Sequence, residues 1–221
     1  MIDHLFPQKI YHKNINKDDT FHTKILEEAK RTMDFSISEE ESMDINYKGY
    51  ISKQKRFWAN SPTYGREYNN PVFDEVHNFI KTCAAEYAEY LDIETSYLNL
   101  KMGNSFLNFG NSTGSSVHDH SGAFISFTYY FHIQGNDHIP SLWFFNPLLD
   151  GPTSVFPWNS LVYKNHTQYE VKPKIGDCYV WPSYLLHGND LPKSKFERWL
   201  FNGDFFLHSD VIPNFPPLSV D

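Results

Sequence analysis

Apolar residues recur at helical spacing in two segments of the first hundred residues. An aspartate pair followed by apolar positions three and four apart predicts a helix over 20–33. A second helix is predicted over 71–91, because Asn70 is a favourable N-cap and Pro71 suits the first helical position. Apolar residues then keep a 3.6-residue period to the end of that segment, so this helix is expected to pack on a sheet.

From residue 97 onward the pattern changes to short apolar and aromatic runs separated by Gly, Pro and Asn. The predicted strands are 97–109, 123–134, 141–146, 160–164, 167–172, 177–182 and 196–207, with an earlier short strand over 4–12. Many short strands bounded by turn residues predict a sandwich or a barrel and argue against a βαβ fold. Residues 34–68 lack periodicity and are interpreted as irregular. The segment 134–155 would either cover a site or simply connect strands.

No break in composition marks a domain boundary, so we expect a single domain over 1–221. Within it, residues 1–95 would form a mostly helical region packed on the sheet. Residues 96–208 would form the β core, and residues 209–221 a tail. An exposed edge strand near the N-terminus would allow a homodimer.

Composition and charge exclude several classes of protein. Hydrophobic residues make up 40% of the 221 residues and aromatic residues 17%, which is enough for a packed core. The net charge of −8 argues against partners such as nucleic acid or an anionic membrane. Cys83 and Cys178 are the only cysteines and are interpreted as buried thiols of a reducing compartment. No signal peptide or membrane span is recognisable, so a cytoplasmic location is expected.

His118 and His120 stand just before a long β-branched and aromatic run. Residues i and i+2 of a strand point to the same side, so the two imidazoles could converge on a metal ion. A His-x-His pair alone is a weak signal, because eleven histidines produce such pairs by chance. If the strand continues without a bulge, the same side also carries Gly122, Phe124, Ser126, Thr128 and Tyr130.

A third candidate ligand, His187, follows a strand that a Gly-Asp turn opens and a Trp-Pro-Ser sequence ends. Arg198 comes eleven residues later, inside an apolar run, with a turn between the two residues. The chain can therefore return so that His187 and Arg198 face one cavity. A buried Arg requires a carboxylate, and its planar fork suits bidentate pairing. That carboxylate could belong to a ligand or to an internal Asp or Glu.

Taken in order, these motifs resemble the non-haem iron, 2-oxoglutarate-dependent oxygenases. The order is His-x-His, then Gly-Asp-x(4)-Pro-Ser-x(3)-His, then an Arg about a dozen residues on. More narrowly, they resemble a bacterial and phage group of putative members related to prolyl-hydroxylase-like enzymes. The strand-like opening Leu5 to Tyr11 and the pair Tyr129-Tyr130 are similar to that group. Asn108 and Asn202 occupy its asparagine positions, and the resemblance implies that they contact the cofactor.

The resemblance implies a mainly β fold with flanking helices, in which N-terminal helices buttress a double-stranded β-helix (jelly roll). It implies a dioxygenase that uses Fe(II) and 2-oxoglutarate to hydroxylate a C–H bond of an amino acid, a peptide or a small molecule. Succinate and CO2 would be released. Fe(II) would be held by His118, His120 and His187, and Arg198 would pair with the distal carboxylate of 2-oxoglutarate.

The sequence departs from the wider superfamily at two positions. At the position of His120 the superfamily usually has Asp or Glu, in a His-x-Asp or His-x-Glu motif. A third imidazole at this position would leave the metal more positive. Asp119 has the opposite strand parity, and a bulge would be needed to make it the second ligand. Leu200 stands where relatives often carry Ser, so we expect Tyr130 or Thr128 to supply the hydroxyl that contacts the co-substrate.

Two other functions fit the same residues. One is a three-histidine metalloenzyme of the cupin type that does not use 2-oxoglutarate. The other is a non-catalytic jelly-roll protein that binds a ligand and in which a metal is structural or absent.

Overall fold

The computed structural model describes residues 8–32, 51–57, 70–93, 99–111, 115, 117–120, 122–135, 140–145, 168–189 and 196–208. Within these residues the helices are α1 (Asp19–Thr32) and α2 (Pro71–Tyr90). The strands are β1 (Tyr11–Asn14), β2 (Ile51–Phe57), β3 (Asn99–Asn111), β4 (Ile125–Gly135), β5 (Leu142–Phe145), β6 (Gln168–Val171), β7 (Asp177–Pro182), β8 (His187–Asn189) and β9 (Phe196–His208).

The strands form two antiparallel sheets between which the chain passes repeatedly. The large sheet has the order β1-β7-β4-β9-β3-β2, and the small sheet has the order β6-β5-β8. The chain leaves the large sheet after β4, returns to it at β7, crosses to the small sheet at β8 and returns at β9. This alternation between two antiparallel sheets makes the core a jelly roll. The predicted fold class, a mainly β protein with flanking helices, is therefore confirmed.

Successive side chains of the large sheet divide between two apolar cores, as the alternation of a strand requires. On β4, Phe127 and Tyr129 pack in the outer core with residues of α1 and α2. Tyr130, between Tyr129 and Phe131, instead lies in the inner core. The inner core takes Trp181 from β7 and Phe144 from the small sheet, so it lies between the two sheets. The inner face of β4 is thus the face that can line a cavity.

The two helices cover the outer face, and both were predicted from sequence. Asn70 caps α2 as expected, since its side-chain oxygen accepts a hydrogen bond from the Val72 amide at 3.1 Å. The Asn70 amide also donates to Glu28 of α1 at 2.5 Å, which joins the start of α2 to the end of α1. No helix in the described part of the chain is both long and apolar enough to cross a membrane.

The interpretation of residues 34–68 as irregular is wrong for β2, which pairs antiparallel with β3 along its whole length. β2 lies at one edge of the large sheet, and three of its seven residues are Lys or Arg. Charged edge strands are common because charge discourages pairing with other chains. Such a strand lacks the apolar alternation by which the inner strands were recognised, and this explains the error.

The first strand is shorter and later than the predicted 4–12, since β1 begins at Tyr11 and residues 8–10 are not in a strand. Residues 4–7 lie outside the described residues. The predicted strand 160–164, most of the segment 134–155 and the tail 209–221 also lie outside them. The boundary expected between residues 95 and 96 falls in an undescribed gap as well. The expectation of a single domain with these divisions therefore stays a prediction.

Candidate metal centre

Main-chain hydrogen bonds hold three histidines together at one end of the inner face. The His118 amide donates to the His187 carbonyl at 3.0 Å, and the His187 amide donates back to the His118 carbonyl at 2.9 Å. The His120 amide donates to the Ser183 carbonyl at 2.9 Å. Two segments far apart in sequence are thereby fixed side by side. The imidazoles are positioned by backbone pairing of the small sheet and the turn that precedes it.

The three rings converge. Their centroids are 5.2 Å apart for His118 and His120, 4.5 Å for His118 and His187, and 5.0 Å for His120 and His187. One ring nitrogen from each residue lies within 4.8 Å of the other two, an arrangement that could hold a metal ion. Imidazole nitrogen binds iron, zinc, copper and nickel, so the ligand set suits a transition metal.

The strand parity that suggested the histidine pair does not extend as predicted. The chain turns at Gly122, which has a φ of +92°, and the Ala123 amide donates to the His120 carbonyl at 3.2 Å. Phe124 then packs against the outer core, contrary to the expectation that it would share the side of the histidines. β4 begins only at Ile125, and its own alternation returns Ser126, Thr128 and Tyr130 to the inner side. Asp119 is exposed and lies outside the cluster, so no bulge turns it inward.

His187 is held in its neutral form. Its side chain is buried, and burial lowers its pKa to about 3, with a further lowering from His118 and His120. Nδ1 lies 2.9 Å from the Leu185 carbonyl oxygen, to which an Nδ1–H donates. That tautomer leaves the Nε2 lone pair available for a metal.

A buried carboxylate, Asp204, stands behind His120. Asp204 Oδ1 lies 2.5 Å from His120 Nδ1, and the Ser126 hydroxyl donates to the same oxygen at 2.7 Å. Ser126 Oγ is in turn 2.9 Å from Ser183 Oγ. With Nδ1–H directed at the carboxylate, Nε2 of His120 faces the cluster. The hydrogen bond fixes the tautomer and the ring orientation of this histidine.

Sequence reasoning missed Asp204, although a signal was present. It shares the strand parity of Arg198 and Asn202 on β9, where the register pairs it with Ser126. An acidic residue on the inner parity of a largely buried strand requires a partner. The partner is a histidine that was already a candidate ligand.

Arg198 is buried on the same inner face without a complete set of partners. It is 7% exposed, and its Nε and Nη1 make no hydrogen bond with any described residue. Burial lowers its pKa, and the nearby Tyr130 opposes that shift. The internal Asp or Glu that sequence reasoning left open as its partner is not among the described residues. A buried cation with free N–H groups is the arrangement expected of an anion-binding residue.

Polar side chains connect the Asp204 end of the inner face with the Arg198 end. In the register of β4 and β9, Thr128 is opposite Asn202 and Tyr130 is opposite Leu200. Asn202 accepts a hydrogen bond from the Asn108 amide of β3. Burial raises the pKa of Tyr130, so its hydroxyl stays protonated and can donate. The expected cofactor-contacting residues therefore lie between the histidine cluster and Arg198.

Trp181 brings a further unpaired donor to the inner face. Its ring meets His187 edge-on at a centroid distance of 4.8 Å. Its indole nitrogen is buried and makes no hydrogen bond within the described residues. Trp181 belongs to the inner core, so this N–H lies close to the histidine cluster.

Comparison with known proteins agrees with this geometry. Residues 107–204 match the family described as putative 2OG-Fe(II) oxygenases. The matched residues make up a little less than half of the chain, so the match shows a resemblance to the 2OG-Fe(II) oxygenases. The resemblance to this superfamily and to its putative group, inferred from the sequence motifs, is thereby confirmed. No curated protein matches the sequence.

Several solved structures share its fold. A Pseudomonas putida prolyl-4-hydroxylase is 11% identical over 90% of this chain and 92% of that chain, with a TM-score of 0.53. AviO1 from Streptomyces viridochromogenes Tue57 is 12% identical over 95% and 92%, with a TM-score of 0.59. The epimerase SnoN from nogalamycin biosynthesis, solved with Fe3+, alpha ketoglutarate and nogalamycin RO, is 15% identical over 90% and 79%, with a TM-score of 0.56. At these identities the likeness shows the jelly-roll fold.

Proposed function

We propose that this protein is a 2OG-Fe(II) oxygenase, and that it is a dioxygenase that hydroxylates a C–H bond of an amino acid, a peptide or a small molecule, with release of succinate and CO2. The observation that carries the proposal is Arg198, a buried guanidinium with two unpaired N–H groups on the inner face of the jelly roll. The same face carries three converging imidazoles. A metal-chelating dicarboxylate satisfies both features at once.

The metal would be Fe(II), held by His118, His120 and His187. Three neutral imidazoles suit this ion, and His187 stays neutral at physiological pH because burial depresses its pKa. Fe(II) bound together with 2-oxoglutarate and O2 supplies the oxidising chemistry. The chain supplies fixed ligand orientation through the paired backbones of His118 and His187 and the hydrogen bonds to the outer ring nitrogens.

The co-substrate would be 2-oxoglutarate, with its distal carboxylate paired to Arg198. A guanidinium fork matches a carboxylate in two parallel hydrogen bonds, and Nε with Nη1 is one edge of that fork. The Tyr130 hydroxyl, kept protonated by burial, is the proposed second donor, and Thr128 is its hydrogen-bonding neighbour. Asn108 and Asn202 would limit the cavity on the β3 side.

The primary substrate is limited to these classes by family likeness alone. Prolyl hydroxylation is one candidate, because a prolyl-4-hydroxylase shares the fold. SnoN has the same fold and is an epimerase, so the reaction on the primary substrate does not follow from the scaffold. A cytoplasmic location and a homodimer through the exposed edge at β1 stay predictions.

The test is succinate formation from 2-oxoglutarate with Fe(II), O2 and no primary substrate. The wild type should turn over 2-oxoglutarate slowly, and His187→Ala should lose this activity. Arg198→Met should raise the KM for 2-oxoglutarate more than it lowers kcat. Equal turnover in the wild type and His187→Ala would refute the assigned metal site. An unchanged KM in Arg198→Met would refute the role of Arg198, and a wild type that forms no succinate would favour the cupin-type metalloenzyme that does not use 2-oxoglutarate.

A further inference from the structure

Asp204 is a buried carboxylate beside the histidine cluster, and it is not one of the three proposed metal ligands. It is 6% exposed, and its basic partner within the described part of the chain is His120, at 2.5 Å. A carboxylate in such a position is costly to bury unless a positive charge faces it. An imidazole that binds a metal is uncharged, so in the metal-loaded site His120 and the Ser126 hydroxyl would provide hydrogen bonds to Asp204 but no charge.

The charges of the loaded site indicate what Asp204 does. A site with two histidines and a carboxylate carries one negative charge among its ligands, whereas three imidazoles carry none. Fe(II) brings two positive charges, Arg198 one, and 2-oxoglutarate two negative charges. One positive charge would remain in a buried cavity, and the Asp204 carboxylate cancels it. Asp204 would thus supply the negative charge of the absent carboxylate ligand from a position behind His120.

We propose that Asp204 is a positioning residue that replaces the absent ligand carboxylate by acting through His120. This inference rests on the proposed function, since it requires a divalent metal at the three histidines. The hydrogen bond to Asp204 makes His120 a more basic ligand and fixes its tautomer, so the metal gains through the imidazole part of the charge that a direct ligand would give. Ser126 and Ser183 hold the carboxylate in place.

The test compares metal affinity with co-substrate affinity in Asp204→Asn. The asparagine keeps the side-chain shape and an oxygen that can accept from His120, and it removes only the charge. Titration of the metal-free protein with Ni2+ should show roughly 10- to 100-fold weaker binding than the wild type. Binding of 2-oxoglutarate to the metal-saturated variant should be as tight as in the wild type or tighter, because the centre has become more positive.

Asp177→Asn is a matched control. Asp177 is also buried and also meets a histidine, since its Oδ1 lies 2.9 Å from His12 Nε2, but that pair lies outside the histidine cluster. Its Ni2+ affinity should stay within about twofold of the wild type. Asp204→Ser is a second neutral variant, for the case in which the asparagine of Asp204→Asn disturbs folding. Its Ni2+ binding should be weakened to the same extent.

Three outcomes would overturn the inference. The first is an unchanged Ni2+ affinity in the neutral variants of Asp204. The second is a parallel loss of Ni2+ and 2-oxoglutarate binding with a lowered unfolding temperature, which would give Asp204 a structural role only. The third is a wild type that binds Ni2+ no better than His187→Ala, which would refute the proposed metal site itself. In the first two outcomes the metal site and the proposed function stand.

Discussion

Replacing Arg198 by Met should make the ligand-free protein more stable and abolish its response to 2-oxoglutarate. The two effects have one cause, because the guanidinium is buried with Nε and Nη1 unpaired among the described residues. Methionine fills much of the same volume and brings no group that requires a partner. The opposite signs distinguish a ligand-binding arginine from one that merely supports the fold.

The size of each effect can be worked from the structure. Each unsatisfied buried donor costs about 1–3 kcal/mol, so removing two should stabilise the ligand-free protein by at least about 2 kcal/mol. A chain of 221 residues unfolds with an entropy near 0.46 kcal/mol/K, so this corresponds to a rise in Tm of about 4 °C. Loss of one partner of a buried charge pair costs about 2–5 kcal/mol of binding, or roughly 30- to several thousand-fold in Kd.

Thermal unfolding of metal-loaded protein with and without 2-oxoglutarate measures both effects. At a concentration 100 times its Kd, 2-oxoglutarate should stabilise the wild type by about 2.7 kcal/mol, or about 6 °C. The same concentration should leave Arg198→Met unchanged. Arg31→Met, at an exposed arginine of α1, is the control and should respond to 2-oxoglutarate as the wild type does.

A lower Tm in ligand-free Arg198→Met, together with an undiminished shift by 2-oxoglutarate, would refute the reasoning. Such a result would mean that Arg198 pairs with an Asp or Glu of the protein and not with 2-oxoglutarate. The cavity face would need a different anion-binding residue.

Three further predictions concern stability and reactivity. Burial depresses the pKa of His77 to about 4 and that of His187 to about 3. The unfolded state therefore binds more protons than the folded state below pH 6.5, and the metal-free protein should lose stability as the pH falls towards 4. In urea unfolding between pH 7.5 and 5, His77→Gln should flatten this loss by up to about 1.4 kcal/mol per pH unit, and an equally steep loss would contradict the assignment. Gly176→Ala should lower the free energy of unfolding by about 1–3 kcal/mol. Gly176 has a φ of +89°, and a Cβ at this position would come within 2.8 Å of a side chain of β1. An unchanged Tm would argue against this strain. Cys83 and Cys178 are buried free thiols, and burial raises the pKa of Cys178. A disulfide reagent should therefore react with both thiols only after denaturation. Rapid labelling of the native protein would contradict this expectation.

The helices and the inner strands could be predicted because their local signals agree with their burial. The N-cap at Asn70 and the apolar period of α2 are local features, and tertiary packing uses them unchanged. The strands β4, β7 and β9 are apolar because both their faces are covered. The edge strand β2 escaped prediction because one side of an edge strand has no neighbour to select for apolar residues.

The candidate site was predictable in its residue types and less so in its geometry. The spacing of His118 and His120 suggested the metal pair, yet they meet through a bridge to β8 and a turn at Gly122 instead of a continuous strand. The role of Asp204 depends on pairing between β4 and β9, which are separated by sixty residues in sequence. Register over such a separation is set by the whole sheet, so a local pattern does not contain it.

The position of β9 in the large sheet has a consequence for synthesis. β9 follows the other eight strands in the chain, yet it lies at the centre of the sheet between β4 and β3. Until it leaves the ribosome, those two strands each present an open, hydrogen-bonding edge to the solvent, and β4 is rich in aromatic residues. We therefore expect the nascent chain to depend on chaperones during the interval in which β1 to β8 have been made but the large sheet is still in two halves.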